Sequence, residues 1–175
     1  MKPVFSIYDR FFTTLLGLLV ATTSYADPAQ EYKMKTAFLY NFIQLTEWPK
    51  TTDTPLRLCI FEQDPISEAL QGLEGVEASG RRIKVIHLTS IDAANTCETL
   101  YLGEPEPDVI KNILSKLGES PVLTISDNMD LAKSGVMITM YPESRRLVFR
   151  VNIASTKHAH LTLSSRLLQL ARHVD

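Results

Sequence analysis

Asp127 is the carboxylate best placed for chemistry. It closes the run VLTISD (122–127), which reads as the end of a strand. In open α/β sheets ligands gather outside the carboxyl ends of the strands. A plainer role is also open to it, because Ser-Asp ahead of a short helix is ordinary capping chemistry. His158 and His160 form an H-x-H pair. On a strand both rings would share one face and could share a metal. The segment reads better as helix or turn, which separates the rings, and no nearby Asp, Glu or Cys completes a set, so no metal is expected. Asn41 and Trp48, in the middle and at the exit of the first helix, are candidates to line a cleft. The alternative for both is a hydrogen bond to a neighbouring loop. No G-x-S-x-G elbow, glycine-rich phosphate loop or H-E-x-x-H is present, so neither a catalytic set nor a cofactor is expected. The 7 glycines are spread over 175 residues without clustering after a strand.

Cys59 and Cys97 are the two cysteines, and their chemistry depends on the compartment. Lys2 and Arg10 supply positive charge, and residues 11–21 are apolar but for Thr13, Thr14 and Gly17. Ser24-Tyr25-Ala26 puts small residues where a signal peptidase reads them. This is the layout of a secretory signal peptide over 1–26, followed by one domain over 27–175. The run is short for a membrane span, and an uncleaved anchor is the alternative. No Cys follows the cleavage site, which argues against a bacterial lipoprotein. In an oxidising compartment the two cysteines are expected to pair, with two buried free thiols as the other reading.

The elements that must position these residues follow from periodicity. YKMKTAFLYNFIQLTEWP (32–49) repeats apolar residues at three- and four-residue steps, Met34, Ala37, Phe38, Phe42 and Leu45. It predicts a spine helix buried on more than one side. Asp27-Pro28 marks its start, and Pro49 pushes Trp48 out of helical geometry. Strands are predicted at 56–61, 83–88, 99–102 and 122–125, with helices after Asp64-Pro65, over 108–117 and over 129–133. Two strands at 136–141 and 147–151, separated by the four residues Pro142 to Arg145, predict a hairpin. A short helix after Asn152 and a last helix over 163–172, capped by Ser164, complete the chain. Strands alternating with helices imply a doubly wound, Rossmann-like α/β sheet flanked by helices, and the closing antiparallel hairpin makes it mixed.

The composition is 45% hydrophobic and 22% charged, which is ordinary for a globular domain. A net charge of −2 gives no electrostatic case for nucleic acid or an anionic membrane surface.

The chain resembles the YfiR family of periplasmic regulators over nearly the whole of its mature length. The resemblance is carried by FLYNFIQLTEWP (38–49), LCIF (58–61), TCETLYL (96–102), VLTISD (122–127), GVMITMY (135–141) and LVFRVNIASTKHAHLTLSSRLLQLA (147–171), in that order and spacing. It implies a repressor, not an enzyme. Members hold the periplasmic part of an inner-membrane GGDEF-type diguanylate cyclase inactive, and an OmpA-like outer-membrane lipoprotein can sequester them. Cyclic-di-GMP and biofilm formation then rise. The resemblance also implies a homodimer. Family members often carry two disulfides. Cys59 and Cys97 match one pair, and the region 131–136, where the second would fall, has no Cys.

Three functional readings follow. The first is a periplasmic repressor acting by protein contact. The second is a periplasmic small-ligand module feeding another membrane receptor. The third is a hydrolase using Asp127 and a histidine.

Overall fold

The computed structural model describes residues 28–49, 54–61, 64–103 and 106–175. The signal-peptide region and Asp27 lie outside them, as do Glu104 and Pro105. Helix α1 (Pro28–Gln44) opens the described chain. It buries Lys35, Leu39, Phe42 and Ile43, which lie on one face at spacings of four, seven and eight residues. The sequence pattern predicted burial on more than one side. The helix packs by one face instead, leaving Ala37 and Asn41 exposed and Met34 41% exposed. It also ends before Trp48. The β-branched Thr46 turns its hydroxyl back to the Phe42 carbonyl at 2.6 Å and starts strand β1 (Thr46–Glu47).

Apart from the half-exposed Arg57, strand β2 (Leu56–Phe61) is apolar and buried on both faces, as a central parallel strand should be. Asp64 accepts from the Ile66 amide and shapes the turn into helix α2 (Ser67–Gln71). Strands β3 (Glu77–Ala78) and β4 (Arg81–Leu88) follow, then a 3-10 helix (Ile91–Thr96) and strand β5 (Thr99–Leu102). Helix α3 (Pro107–Leu117) closes on Gly118, whose φ of +51° suits a residue without Cβ. Next come strand β6 (Leu123–Ser126), a second 3-10 helix (Met129–Lys133), and strands β7 (Ile138–Glu143) and β8 (Arg146–Val151). Helix α4 (Ile153–His158), strand β9 (Thr162–Leu163), helix α5 (Ser165–Leu170) and strand β10 (His173–Val174) end the chain.

Eight strands form one mixed sheet in the order β10-β8-β7-β6-β5-β2-β4-β3. The run β4-β2-β5-β6-β7 is parallel, whereas β8 returns antiparallel to β7. The sequence of crossovers reverses between β2 and β5, the doubly wound arrangement. Leu56, Leu58 and Ile60 of β2 pack with Leu39, Phe42 and Ile43 of α1 on one face. Cys59 and Phe61 pack with Ile110, Ile113 and Leu117 of α3 on the other. At the crossover point Gly103 lies so close to Asp64 that a Cβ there would sit 1.6 Å from a carboxylate oxygen, so any larger residue would force the Asp64 side chain to move.

The hairpin departs from expectation. Strand pairing continues to Glu143 and Arg146, leaving a two-residue turn of Ser144 and Arg145. Pro142 is tolerated inside β7 because β6 pairs with β7 only as far as Thr139. Four short strands, β1, β3, β9 and β10, escaped the sequence pattern altogether. The pair β1 and β9 joins Thr46 to Leu163, and β10 lies parallel to β8.

Candidate functional site

Beyond the carboxyl end of β6 the chain forms a groove of about 740 Å³ between the first turns of α1 and the β7–β8 hairpin. Its inner wall is polar. Lys35 Nζ lies 2.6 Å from Asp127 Oδ2 and 2.6 Å from Glu31 Oε1, with its side chain 11% exposed. The same ammonium stands 5.7 Å from the centre of the Tyr32 ring, within cation–π range. Burial pulls the Lys35 pKa down, but the hydrogen bonds and charges of Asp127 and Glu31 outweigh it and leave the pKa above the usual lysine value. Tyr101, 1% exposed, also reaches Asp127 by a hydrogen bond. Burial first, then the Asp127 and Asp64 charges, push its pKa far up, so it remains a neutral phenol that donates. A lysine held as an ammonium at neutral pH by two carboxylates is poorly placed to be a nucleophile. This arrangement holds charge in place and can present it to a ligand.

The outer wall is apolar and flexible in chemistry. Met34 and Met129, 41% and 43% exposed, face it with Met140, Pro142 and Leu147. Methionine adapts to differently shaped partners. Arg145 and Arg146 stand at the hairpin tip. Ser144 and Arg145 have φ of +49° and +62°. That is the left-handed pair a type I′ turn needs, usually supplied by Asn-Gly. A second groove of about 400 Å³ begins at the far side of Leu147. Phe38, Phe149 and Leu170 line it, with Arg166 at its edge.

Asp127 sits at the strand end where the sequence placed it, but it does not cap the helix that follows. Asn128 is the cap, its side chain accepting from the Asp130 amide, because Asp127 is committed to Lys35 and Tyr101. Asn41 is not buried. It is exposed on α1, its side-chain amide donates to the Ala37 carbonyl at 2.9 Å, and it borders the second groove. Trp48 is half-buried and donates to the Glu98 carbonyl at 3.1 Å. It faces a separate hollow with Arg81 and Ser164. His158 ends α4, and His160 lies in the next turn with φ +56° and its Nε2 3.8 Å from Glu119. Glu119 precedes β6 and Asp127 follows it, so these histidines and Asp127 occupy opposite ends of that strand.

Lys35, Tyr101 and the two methionines were missed by sequence reasoning. Lys35 carried a signal, since it falls four and seven residues before Leu39 and Phe42 on the buried stripe. The arginines carried none, because Ser-Arg is not a turn signature.

Cys59 and Cys97 form a disulfide with Cα atoms 6.0 Å apart, both residues buried. Cys97 lies just ahead of β5, which pairs with β2. The bridge therefore staples the 3-10 helix Ile91–Thr96 to the sheet, and it fits an oxidising compartment. Next to it Glu98 is gripped by Arg81 at 2.8 Å and Arg57 at 3.1 Å. Burial raises the Glu98 pKa, but the hydrogen bonds from Arg81 and Arg57 overcome it and hold the carboxyl below its usual range.

Among solved structures the chain is similar to a conserved domain protein from Vibrio cholerae O1 biovar El Tor strain N16961, with a TM-score of 0.59 and 8% identity. It is also similar to an ABC domain in complex with L-Trp from Streptococcus pneumoniae, with a TM-score of 0.53 and 6% identity. Each match covers 82% of this chain and 60% of the other. At such identities the likeness is one of fold. The YfiR/HmsC-like family model matches residues 32–172, from the second turn of α1 to the residue before β10, and the chain belongs to that family.

Proposed function

We propose that the protein is a periplasmic regulator that acts by contact. It holds the periplasmic part of an inner-membrane GGDEF-type diguanylate cyclase inactive, and so lowers cyclic-di-GMP and biofilm formation. The observation that carries this reading is the family match across residues 32–172. The disulfide is consistent with export, and on this reading residues 1–26 are a signal peptide cleaved near Ala26. A lysine locked in ion pairs, instead of a nucleophile paired with a base, suits binding better than catalysis. An OmpA-like outer-membrane lipoprotein is the expected antagonist. Deleting the gene should raise cyclic-di-GMP, and a plasmid copy should restore it. Unchanged levels in a strain expressing the cyclase overturn the reading.

A second reading is a small-ligand module for another receptor. The groove at the strand carboxyl ends favours it. It predicts a metabolite that raises the melting temperature of the mature protein, and cyclic-di-GMP indifferent to deletion.

A further inference from the structure

The two grooves beside α1 share Leu147 as a wall. Together they make one path from Met129 past Met34 and Leu147 to Phe38 and Leu170. Leu170 is 64% exposed, so three of the five large apolar side chains exposed among the described residues lie along it. Scattered apolar side chains are normal, but a contiguous exposed set rimmed by polar groups marks an interaction site. The rim here is basic. Arg145, Arg146 and Arg166 are exposed, and their guanidiniums make no ion pair or hydrogen bond among the described residues. Every other arginine there has one: Arg57 and Arg81 with Glu98, Arg82 with the Gly75 carbonyl, Arg150 with Asp175, Arg172 with Glu143. In a chain of net charge −2 the unused guanidiniums are thus gathered on one apolar path.

Arg145 is held at this rim in a left-handed backbone that a bulky side chain occupies at a cost. The two-residue turn imposes that backbone, and an arginine in place of the relaxed glycine puts a guanidinium at the rim. The two carboxylates that line the path, Asp127 and Glu31, are already taken by Lys35. What the rim lacks is therefore an external anion, and what the floor lacks is an apolar cover.

We propose that this path is the docking site for an amphipathic, carboxylate-bearing segment of a partner protein, its acidic groups on Arg145, Arg146 and Arg166 and its apolar side chains on Met34, Met129 and Leu147. The proposal rests on the contact-regulator reading and names the surface that makes the contact. The site is concave, which fits a chain segment; a bilayer presents a flat face.

A photo-crosslinking residue placed at Met129 or Leu170 of the full-length protein in cells tests it. Both positions should capture the periplasmic part of the GGDEF protein whose output the deletion changes, and a crosslinker at Lys111 on α3, across the sheet, should not. The purified periplasmic domain of that protein should bind the R145E/R146E/R166E variant about tenfold or more weakly than wild type, with the lysine triple variant in between. The charge-reversed chain should melt as wild type does. Capture of a second copy alone would make the face a homodimer contact and overturn the proposal. So would binding to phosphatidylglycerol vesicles without binding the domain. If deletion raises cyclic-di-GMP yet the charge-reversed chain restores full repression at equal protein level, the groove is wrong and the regulator reading survives. If deletion changes nothing, the regulator reading itself has failed.

Discussion

Lys35 Nζ and Asp127 Oδ2 meet at 2.6 Å across 92 residues of chain. The contact ties the start of α1 to the end of β6, and Tyr101 from the strand between β6 and β2 joins it from below. The ion pair adds a fixed charge geometry at the groove wall, where an unpartnered lysine would be expensive.

Removing the carboxylate should show that expense. Asp127→Ala leaves the Lys35 ammonium with only the half-exposed Glu31, and deprives the buried Tyr101 hydroxyl of its acceptor. The expected loss is about 3 kcal/mol in urea unfolding, while the pair replacement Lys35→Met with Asp127→Leu should lose clearly less. A single-variant loss below about 1 kcal/mol would show the pair to be an exposed, screened contact. The Lys35 pKa is raised by folding, so its contribution is whole through neutral pH and lost only as pH rises through the folded-state value.

Acid should act through Glu98. Its pKa is lowered in the folded state by Arg81 and Arg57 against the pull of burial. A lowered carboxyl pKa adds stability above its ordinary value of 4.5, lost as pH falls through the folded-state value. Unfolding midpoints measured from neutral pH down to about 3 should therefore fall steeply for wild type. Glu98→Gln should start about 3 kcal/mol lower at neutral pH and descend on a flatter limb. Parallel acid limbs in the two proteins would assign the acid sensitivity elsewhere.

The disulfide spans 38 residues, which in the chain-entropy model corresponds to about 4 kcal/mol. Cys59→Ser with Cys97→Ser should lower stability by that order while partner binding persists at low temperature, since the bridge lies on the α3 face of the sheet. Abolished repression in a still-folded, reduced protein would make the bridge a redox switch instead.

The parallel core was readable because its strands are short continuous apolar runs between turn signals. β5 matches its predicted span of 99–102 residue for residue, and β2 matches 56–61. The spine helix was found but its face was misjudged. Met34 and Ala37 look like stripe residues by hydropathy, whereas the buried position is Lys35, whose ion pair becomes visible only once Asp127 is brought beside it. Asp127 was located because strand ends are legible; its partner was not. The short pairs β1–β9 and β10–β8 are two residues each and arise from where the packed helices deliver the chain, so no local period announces them.

The hairpin tip separates stability from binding. Ser144 and Arg145 occupy the two left-handed positions of the turn, where Asn-Gly is the relaxed choice. Ser144→Asn with Arg145→Gly should relieve that strain and raise stability by about 1 kcal/mol, read as a higher urea midpoint at unchanged slope. The same change removes one guanidinium from the groove rim. If the rim binds an acidic segment, the more stable protein should bind its partner domain more weakly, and Ser144→Asn alone should stabilise with binding intact. A double variant that gains stability and keeps full affinity would remove Arg145 from the docking surface, leaving its left-handed backbone as strain without a binding role.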